Sequence, residues 1–344
     1  MLPLLTVLLT TALGLHAAQP PAAGVTLDDG PKGPDRSYAL FTEAGATAIE
    51  APQPWSELEP RPRRYRLSDV DDIVRGVSGT PATQVMVIPA AIETTARSTP
   101  PDLRGAGWDG RRMTSRYRML IDRSCRLLSP QVTFVSIANE ADVYFGLHPR
   151  ELPAFLRFAR TELAELHRCA PWVKAGVTVT YSGLSAHTPT ARALARLGDA
   201  TILTYYPLGD GYRPRSPHAP RTDVPRMVRL AHGRPVVLQE AGYPTAARLR
   251  SSPAAQATFV RDLFAAWSRY APATIPFVSL YELFDLPAGA CHHERDDDAT
   301  AFLCSLGLLD RHGDPKPAWP AFRAGIQSLR QAARGPGIAR RRRG

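Results

Sequence analysis

The stretch VSIANEADVYF, Val135 to Phe145, decides how the rest of the chain is read. An apolar, β-branched run stops abruptly at Asn139-Glu140. In an ordinary loop, an amide beside a carboxylate would mean little. At the end of a buried strand that opens into the mouth of a barrel, the same carboxylate is placed to act as an acid.

Reading outward, similar short apolar runs recur along the chain. They are Gly24–Leu27, Ala46–Glu50, Gln84–Ile88, Val132–Ile137, Val173–Val179, Ala200–Thr204, Val236–Gln239 and Ile275–Leu280. Most lack polar alternation, as parallel strands covered on both faces should. Amphipathic stretches separate them. In ELPAFLRFARTELAELHRCA, Phe155, Phe158, Leu163 and Leu166 recur at helical spacing, opposite Arg157, Arg160 and Glu162. SPAAQATFVRDLFAAWSRY repeats the pattern, with Ser252-Pro253 as cap and first turn. KPAWPAFRAGIQSLRQAA would close the last unit. Eight strands, each followed by helix or loop, predict an α/β fold, a single-domain (β/α)8 TIM barrel. A doubly wound sheet is the rival, but no Gly-rich nucleotide-binding turn follows an early strand.

In such a barrel the residues just past the strand ends line the active site. Strand two leads into EAPQPWSELEP (Glu50 to Pro60), and strand four into Asn139-Glu140. Strand six ends in Tyr205-Tyr206-Pro207, strand seven in LQEAGYPT with Glu240 at its tip, and strand eight in LYELFDLP with Tyr281, Glu282 and Asp285. Glu140 and Glu240 would therefore project into one mouth. Glycosidic cleavage needs two such carboxyl groups: one protonates the leaving oxygen, the other attacks or activates water at the anomeric carbon. Close approach separates their pKa values, so one donates a proton while its partner stays ionised. Either glutamate alone would be read as a salt-bridged barrel residue.

This arrangement resembles the clan A glycoside hydrolases, retaining enzymes with the acid/base on strand four and the nucleophile on strand seven. Their strand-four Asn-Glu is matched by Asn139-Glu140, and EAGYPT resembles the nucleophile segment of plant-type endo-β-1,3-glucanases. Tyr206-Pro207 resembles the strand-six Tyr-Pro of those enzymes and of endo-β-1,4-galactanases. PWSELEP resembles the strand-two segment of clan A β-galactosidases, and GLLDRHGDPKPAW a phrase common in the superfamily's closing helix. Two positions depart: Ala141 stands where many members have Pro, and Leu280-Tyr281 replaces the strand-eight Trp. The resemblance implies Glu140 as general acid and then base, with Glu240 as nucleophile. It makes Asn139 a ligand of the sugar 2-hydroxyl and Tyr206 a holder of the Glu240 carboxylate. Tyr205 joins the expected substrate-binding set. Trp55 and Trp108 are candidate sugar-stacking faces or core residues. Glu59, Glu282 and Asp285 would bind hydroxyls or form structural ion pairs.

The composition fits a folded protein of this kind. The chain has 344 residues, 44% apolar and 22% charged, with a net charge of +10. Lys is confined to Lys32, Lys174 and Lys316. Part of the charge is the cluster Arg340 to Arg343, read as a solvated tail over 333–344 without the interleaved aromatics of a nucleic-acid site. Residues 1–18 of MLPLLTVLLTTALGLHAAQP read as a cleaved secretory signal, too short to span a bilayer comfortably. That leaves 19–332 as the barrel and a secreted or periplasmic location.

Export makes sense of an even number of cysteines, Cys125, Cys169, Cys291 and Cys304. CHHERDDD resembles a metal loop at a glance, through His292-His293 and the three Asp. Loop closure by Cys291–Cys304 is the more economical account, and no metal or other cofactor is expected. Cys125 and Cys169 fall near the ends of the helices flanking strand four, which makes a second bridge plausible. No nucleophile elbow for serine or cysteine catalysis is found.

The expected partner is a carbohydrate, a β-linked poly- or oligosaccharide, with no nucleic acid, no stable membrane insertion and a monomeric chain. Two alternatives stay open: a catalytically inactive carbohydrate-binding or surface-interaction barrel, and a metal-dependent hydrolase using the His292-His293 loop.

Overall fold

All eight expected strands form, in order and in parallel, in the computed structural model, which describes residues 21–77, 83–292 and 297–333. The expected signal segment, His293 and the basic tail beyond 333 lie outside the described residues. The strands are β1 (Ala22–Val25), β2 (Ala48–Pro52), β3 (Gln84–Ile88) and β4 (Val132–Ser136). Then come β5 in two pieces (Lys174–Gly176 and Thr178–Thr180), β6 (Thr201–Tyr205), β7 (Val236–Ala241) and β8 (Phe277–Leu280). β1 pairs with β2 and β8; the first piece of β5 pairs with β4 and the second with β6, which closes the barrel. This is the expected (β/α)8 fold.

The two faces of the strands differ in kind. Outward residues such as Val85, Val87, Leu203 and Val278 are branched and pack beneath the helices. Inward residues form a second core of smaller volume: Ala22, Ala48, Met86, Phe134, Val237 and Phe277. Gly24 lies so close to β2 that a Cβ there would meet Ala48 O at 1.7 Å, so no side chain fits. One layer further up, the inward positions turn polar, with Glu50, Ser136, Thr178, Thr204, Gln239 and Ser279 all buried. Apolar packing closes the bottom of the barrel, and hydrogen-bonding side chains occupy its top.

The helices obey the periodicity of the sequence with one exception. Between β4 and β5, the helix Leu152–Cys169 buries Phe155, Phe158, Leu163 and Leu166 as expected. Glu162, assigned to the polar face, is buried as well. It lies four residues after Phe158 and four before Leu166, which puts it on the covered side. Pro253–Trp267 starts at the expected cap, where Ser252 Oγ accepts from Ala255 N.

Both disulfides form as paired in the sequence reading. Cys125 ends the helix Arg111–Cys125 and Cys169 ends Leu152–Cys169, so their bond ties together the helices on either side of β4. Cys291–Cys304 closes the loop after β8 around the short helix Asp298–Leu303.

Candidate active site

The catalytic candidates are held at the strand ends by irregularities in an otherwise regular barrel. Glu140 follows β4 and precedes the short helix Ala141–Leu147, with its backbone in the left-handed region at φ 45° and ψ 41°. Thr94, in the loop after β3, also has a positive φ of 44°. Such conformations are costly for residues with a Cβ and persist where surrounding structure enforces them. Here the two strained residues meet: Thr94 Oγ1 donates to Glu140 Oε2 at 3.0 Å. Thr204 Oγ1 of β6 donates to Glu140 Oε1 at 2.6 Å, so hydroxyls from both sides orient the carboxyl plane.

On β7 the pairing register shifts against both neighbours around Gln239, the signature of a β-bulge. Strict alternation would send consecutive side chains to opposite faces. The bulge instead lets Gln239 and Glu240 share the mouth. Gln239 Nε2 donates to Asn139 Oδ1 at 2.9 Å and to Glu240 Oε1 at 3.1 Å. Its own carbonyl accepts from Thr178 Oγ1, which fixes which way the amide faces. Asn139 is oriented in turn: its oxygen faces Gln239, and Nδ2 points to Glu93 Oε2 at 3.3 Å and Glu240 Oε1 at 3.5 Å. Tyr206 Oη donates to Glu240 Oε2 at 2.7 Å. Gly242 makes room for that tyrosine, because a Cβ at 242 would lie 2.7 Å from its ring.

The electrostatics of the mouth are one-signed. Burial, reinforced by the charge of Glu140, pushes Glu240 up to about 7, against the lowering effect of the Tyr206 and Gln239 hydrogen bonds. Glu50, in the middle of β2, accepts from Thr26 Oγ1 at 2.7 Å and is pushed well above the carboxylate range by burial and by Glu240. Glu93 rises to about 7 through burial, with Glu140 adding to it. Glu282 rises to about 8 through burial and the nearby Asp28 and Asp285. Burial thus favours the protonated form of Glu50, while Glu240 and Glu93 are both pushed up to about 7.

Several expected ligands lie elsewhere. Trp55 and Trp108 are sealed in the core and offer no face to a sugar. Trp55 Nε1 donates to Glu59 at 3.0 Å and Trp108 Nε1 to Glu151 at 2.8 Å. Their rings pack edge-on against Tyr117 and Phe155, which belong to the helices Arg111–Cys125 and Leu152–Cys169. Glu59 is fully buried and pairs with Arg116 at 2.7 Å, a structural ion pair. Tyr205 points outward by strand alternation, and its hydroxyl donates to Asp223 Oδ2 at 2.9 Å. Asp285 is paired with Lys316 at 2.7 Å. Glu282 remains in the mouth, buried, with Oε1 lacking a hydrogen-bond partner among the described residues.

Sequence reasoning missed Glu93, Thr94, Thr204 and Gln239 as members of the site. Gln239 stands beside Glu240 in LQEAGYPT, but nothing in that string announces a bulge. Among the described residues, no group of three or more His, Cys, Asp or Glu is placed to hold a metal ion. Cys291 is committed to its disulfide.

No family model and no curated protein sequence matches the chain. Solved structures do. A GH5_18 protein from Bifidobacterium longum subsp. longum ATCC 55813, in complex with Manβ1-4GlcNAc, superposes with a TM-score of 0.68 at 20% identity, over 90% of this chain and 79% of that one. The exo-β-1,4-mannosidase Op5Man5 from Opitutaceae bacterium strain TAV5 gives 0.71 at 16% identity, over 92% and 61%. A GH5_18 protein from Streptomyces cattleya, in complex with GlcNAc, gives 0.67 at 17%, over 91% and 81%. The chain has the barrel fold of these glycoside hydrolase structures.

Proposed function

We propose that the chain is a retaining β-glycoside hydrolase that cleaves an oligo- or polysaccharide by double displacement. Glu140 is the general acid and then the base, and Glu240 is the nucleophile. The observation that carries this reading is the pair of carboxyl groups at the ends of β4 and β7, each oriented only by neutral hydrogen-bond donors. A nucleophile must be ionised yet unneutralised, and an acid must be able to exchange its proton; a salt bridge would defeat both. Asn139 presents Nδ2 into the mouth, where it would meet the sugar 2-hydroxyl. Glu50 beneath Glu240 keeps its proton, which leaves the negative charge on the nucleophile.

The crowding of carboxyl groups favours uncharged sugars, since a uronic acid or sialic acid would add like charge to a buried site. The Manβ1-4GlcNAc bound by a structural neighbour makes β-mannosides the first substrates to test. The two disulfides support an oxidising compartment, in line with export. No helix among the described residues is long and apolar enough to cross a membrane.

The test separates the two carboxyl roles. Glu240→Gln should form no glycosyl-enzyme. Glu140→Ala should still be glycosylated by an activated aryl glycoside, then release the sugar about 100- to 10,000-fold more slowly without its base. Mass spectrometry should find the adduct on Glu240, and azide should speed turnover to a β-glycosyl azide. Inversion at the anomeric carbon by NMR, or unchanged activity in either variant, would refute the assignment.

A further inference from the structure

With Trp55 and Trp108 sealed, the mouth needs another apolar surface for a pyranose ring, and the wall above β6 and β8 supplies one. A small hydrophobic cluster separate from the main core comprises Leu249, Ala301, Phe302 and Leu306, with Tyr206 and Tyr281 packed against it. Tyr206 is the residue bonded to Glu240. Its ring meets Phe302 edge-on at 5.2 Å, and Phe302 meets Tyr212 at 5.5 Å. Tyr212 is 44% exposed, one of few large apolar side chains left open to solvent. A ladder of three rings thus leads from the nucleophile to the rim.

The ladder is held rigidly from both sides. Phe302 belongs to the helix Asp298–Leu303, which is capped by Asp297 Oδ2 on Thr300 N at 2.7 Å and closed by Cys291–Cys304. Arg248 pairs with Asp298 of the same helix. Tyr212 lies at the tip of the loop after β6, which folds back on itself through Gly209 N to Arg213 O and Arg215 N to Pro207 O. Its backbone is left-handed, at φ 58°. A lone exposed tyrosine needs no explanation. A strained tyrosine at a loop tip, backed by a phenylalanine within a disulfide-closed loop that touches the nucleophile's partner, has an ordered face for a ligand.

We propose that the open face of Tyr212 is the stacking platform of a second sugar subsite. It takes the apolar C–H face of a neutral pyranose beyond the unit that reacts at Glu240. The proposal rests on the glycosidase reading. Two ring contacts separate the platform from Tyr206, so it reaches a neighbouring sugar unit and not the one at the reaction centre. The same geometry makes the enzyme a preferential cleaver of oligosaccharides over simple glycosides.

The experiment compares Tyr212→Ala and Tyr212→Phe on two probes: whichever of β-1,4-mannotriose, cellotriose or β-1,4-galactotriose the wild type cleaves, and the matching β-glycosyl fluoride, which has no second sugar. Loss of one aromatic contact should lower kcat/KM of Tyr212→Ala on the trisaccharide about 10-fold, chiefly through KM, and leave the fluoride within about 2-fold. Tyr212→Phe should behave as wild type on both, because the ring face is kept. Equal losses on both probes, with a lowered Tm, would mean that Tyr212 only supports the fold and would overturn the proposal. Undiminished trisaccharide cleavage by Tyr212→Ala would overturn it too. If the wild type cleaves neither probe and a 2-deoxy-2-fluoro-glycosyl fluoride leaves Glu240 unlabelled, the glycosidase reading itself has failed.

Discussion

Glu59, past the end of β2, is fully buried, and Glu240, near the end of β7, is half-buried; their surroundings are opposites. Glu59 accepts from Trp55 Nε1, from Arg63 N and from the Arg116 guanidinium, and Arg116 also holds Asp102. Glu240 accepts from a phenol and two amides, and its charged neighbours are other carboxyl groups. A buried carboxylate facing a guanidinium is a fixed charge, expensive to disturb and chemically inert. One held by neutral donors keeps its orientation but has its charge poised, which is what acid and nucleophile chemistry requires.

The largest effect that would sharpen this contrast is on stability. Arg116→Met strands Glu59 without its cation and should destabilise the fold by about 3–5 kcal/mol. Activity per folded molecule should not change. Urea denaturation beside active-site titration measures both, and a loss of specific activity without a loss of stability would break the comparison.

Next comes the pH profile of the poised group. As the proposed nucleophile, Glu240, pushed up to about 7 by burial, must be ionised to attack. Activity therefore falls as pH drops through 7, and kcat/KM at pH 5 should be about 100-fold below its plateau, one decade per unit. An acid limb that remains flat down to pH 5 would contradict a nucleophile raised by burial.

A smaller effect tests the bulge. Gln239→Leu removes the donor shared by Asn139 and Glu240 while keeping the volume of the side chain. Losing these hydrogen bonds should lower kcat about 10-fold. The acid limb should also move upward, because that hydrogen bond favours the ionised carboxylate. A drop in Tm with an unmoved pH profile would reduce Gln239 to a packing residue.

The smallest effect lies outside the site. Burial raises Glu162 to about 8, above its unfolded value. Stability from the neutral form is then complete below the unfolded pKa and is lost as pH rises through 8. Glu162→Gln should leave Tm near wild type at pH 5 and raise it on the order of 2–6 °C at pH 9. Equal Tm differences at the two pH values would show that the carboxyl does not titrate there.

The amino-acid order by itself determined the barrel and the two carboxyl positions. Runs such as Gln84–Ile88 and Val236–Gln239 are short, β-branched and apolar on both faces, which is legible because a parallel strand is buried on both sides. Glu140 and Glu240 were legible because strand ends can be counted. Which side chains join them was decided only in three dimensions. Trp55 and Trp108 looked available to a sugar, but burial depends on what packs across the chain, here Tyr117 and Phe155. Gln239 entered the mouth through a register shift against β6 and β8, a property of three strands together and of no single segment. Glu93 reached Asn139 because the loop after β3 pairs with the end of β4. Local pattern specifies elements through the faces they must bury; side-chain partners depend on how distant elements meet, and that is a tertiary quantity.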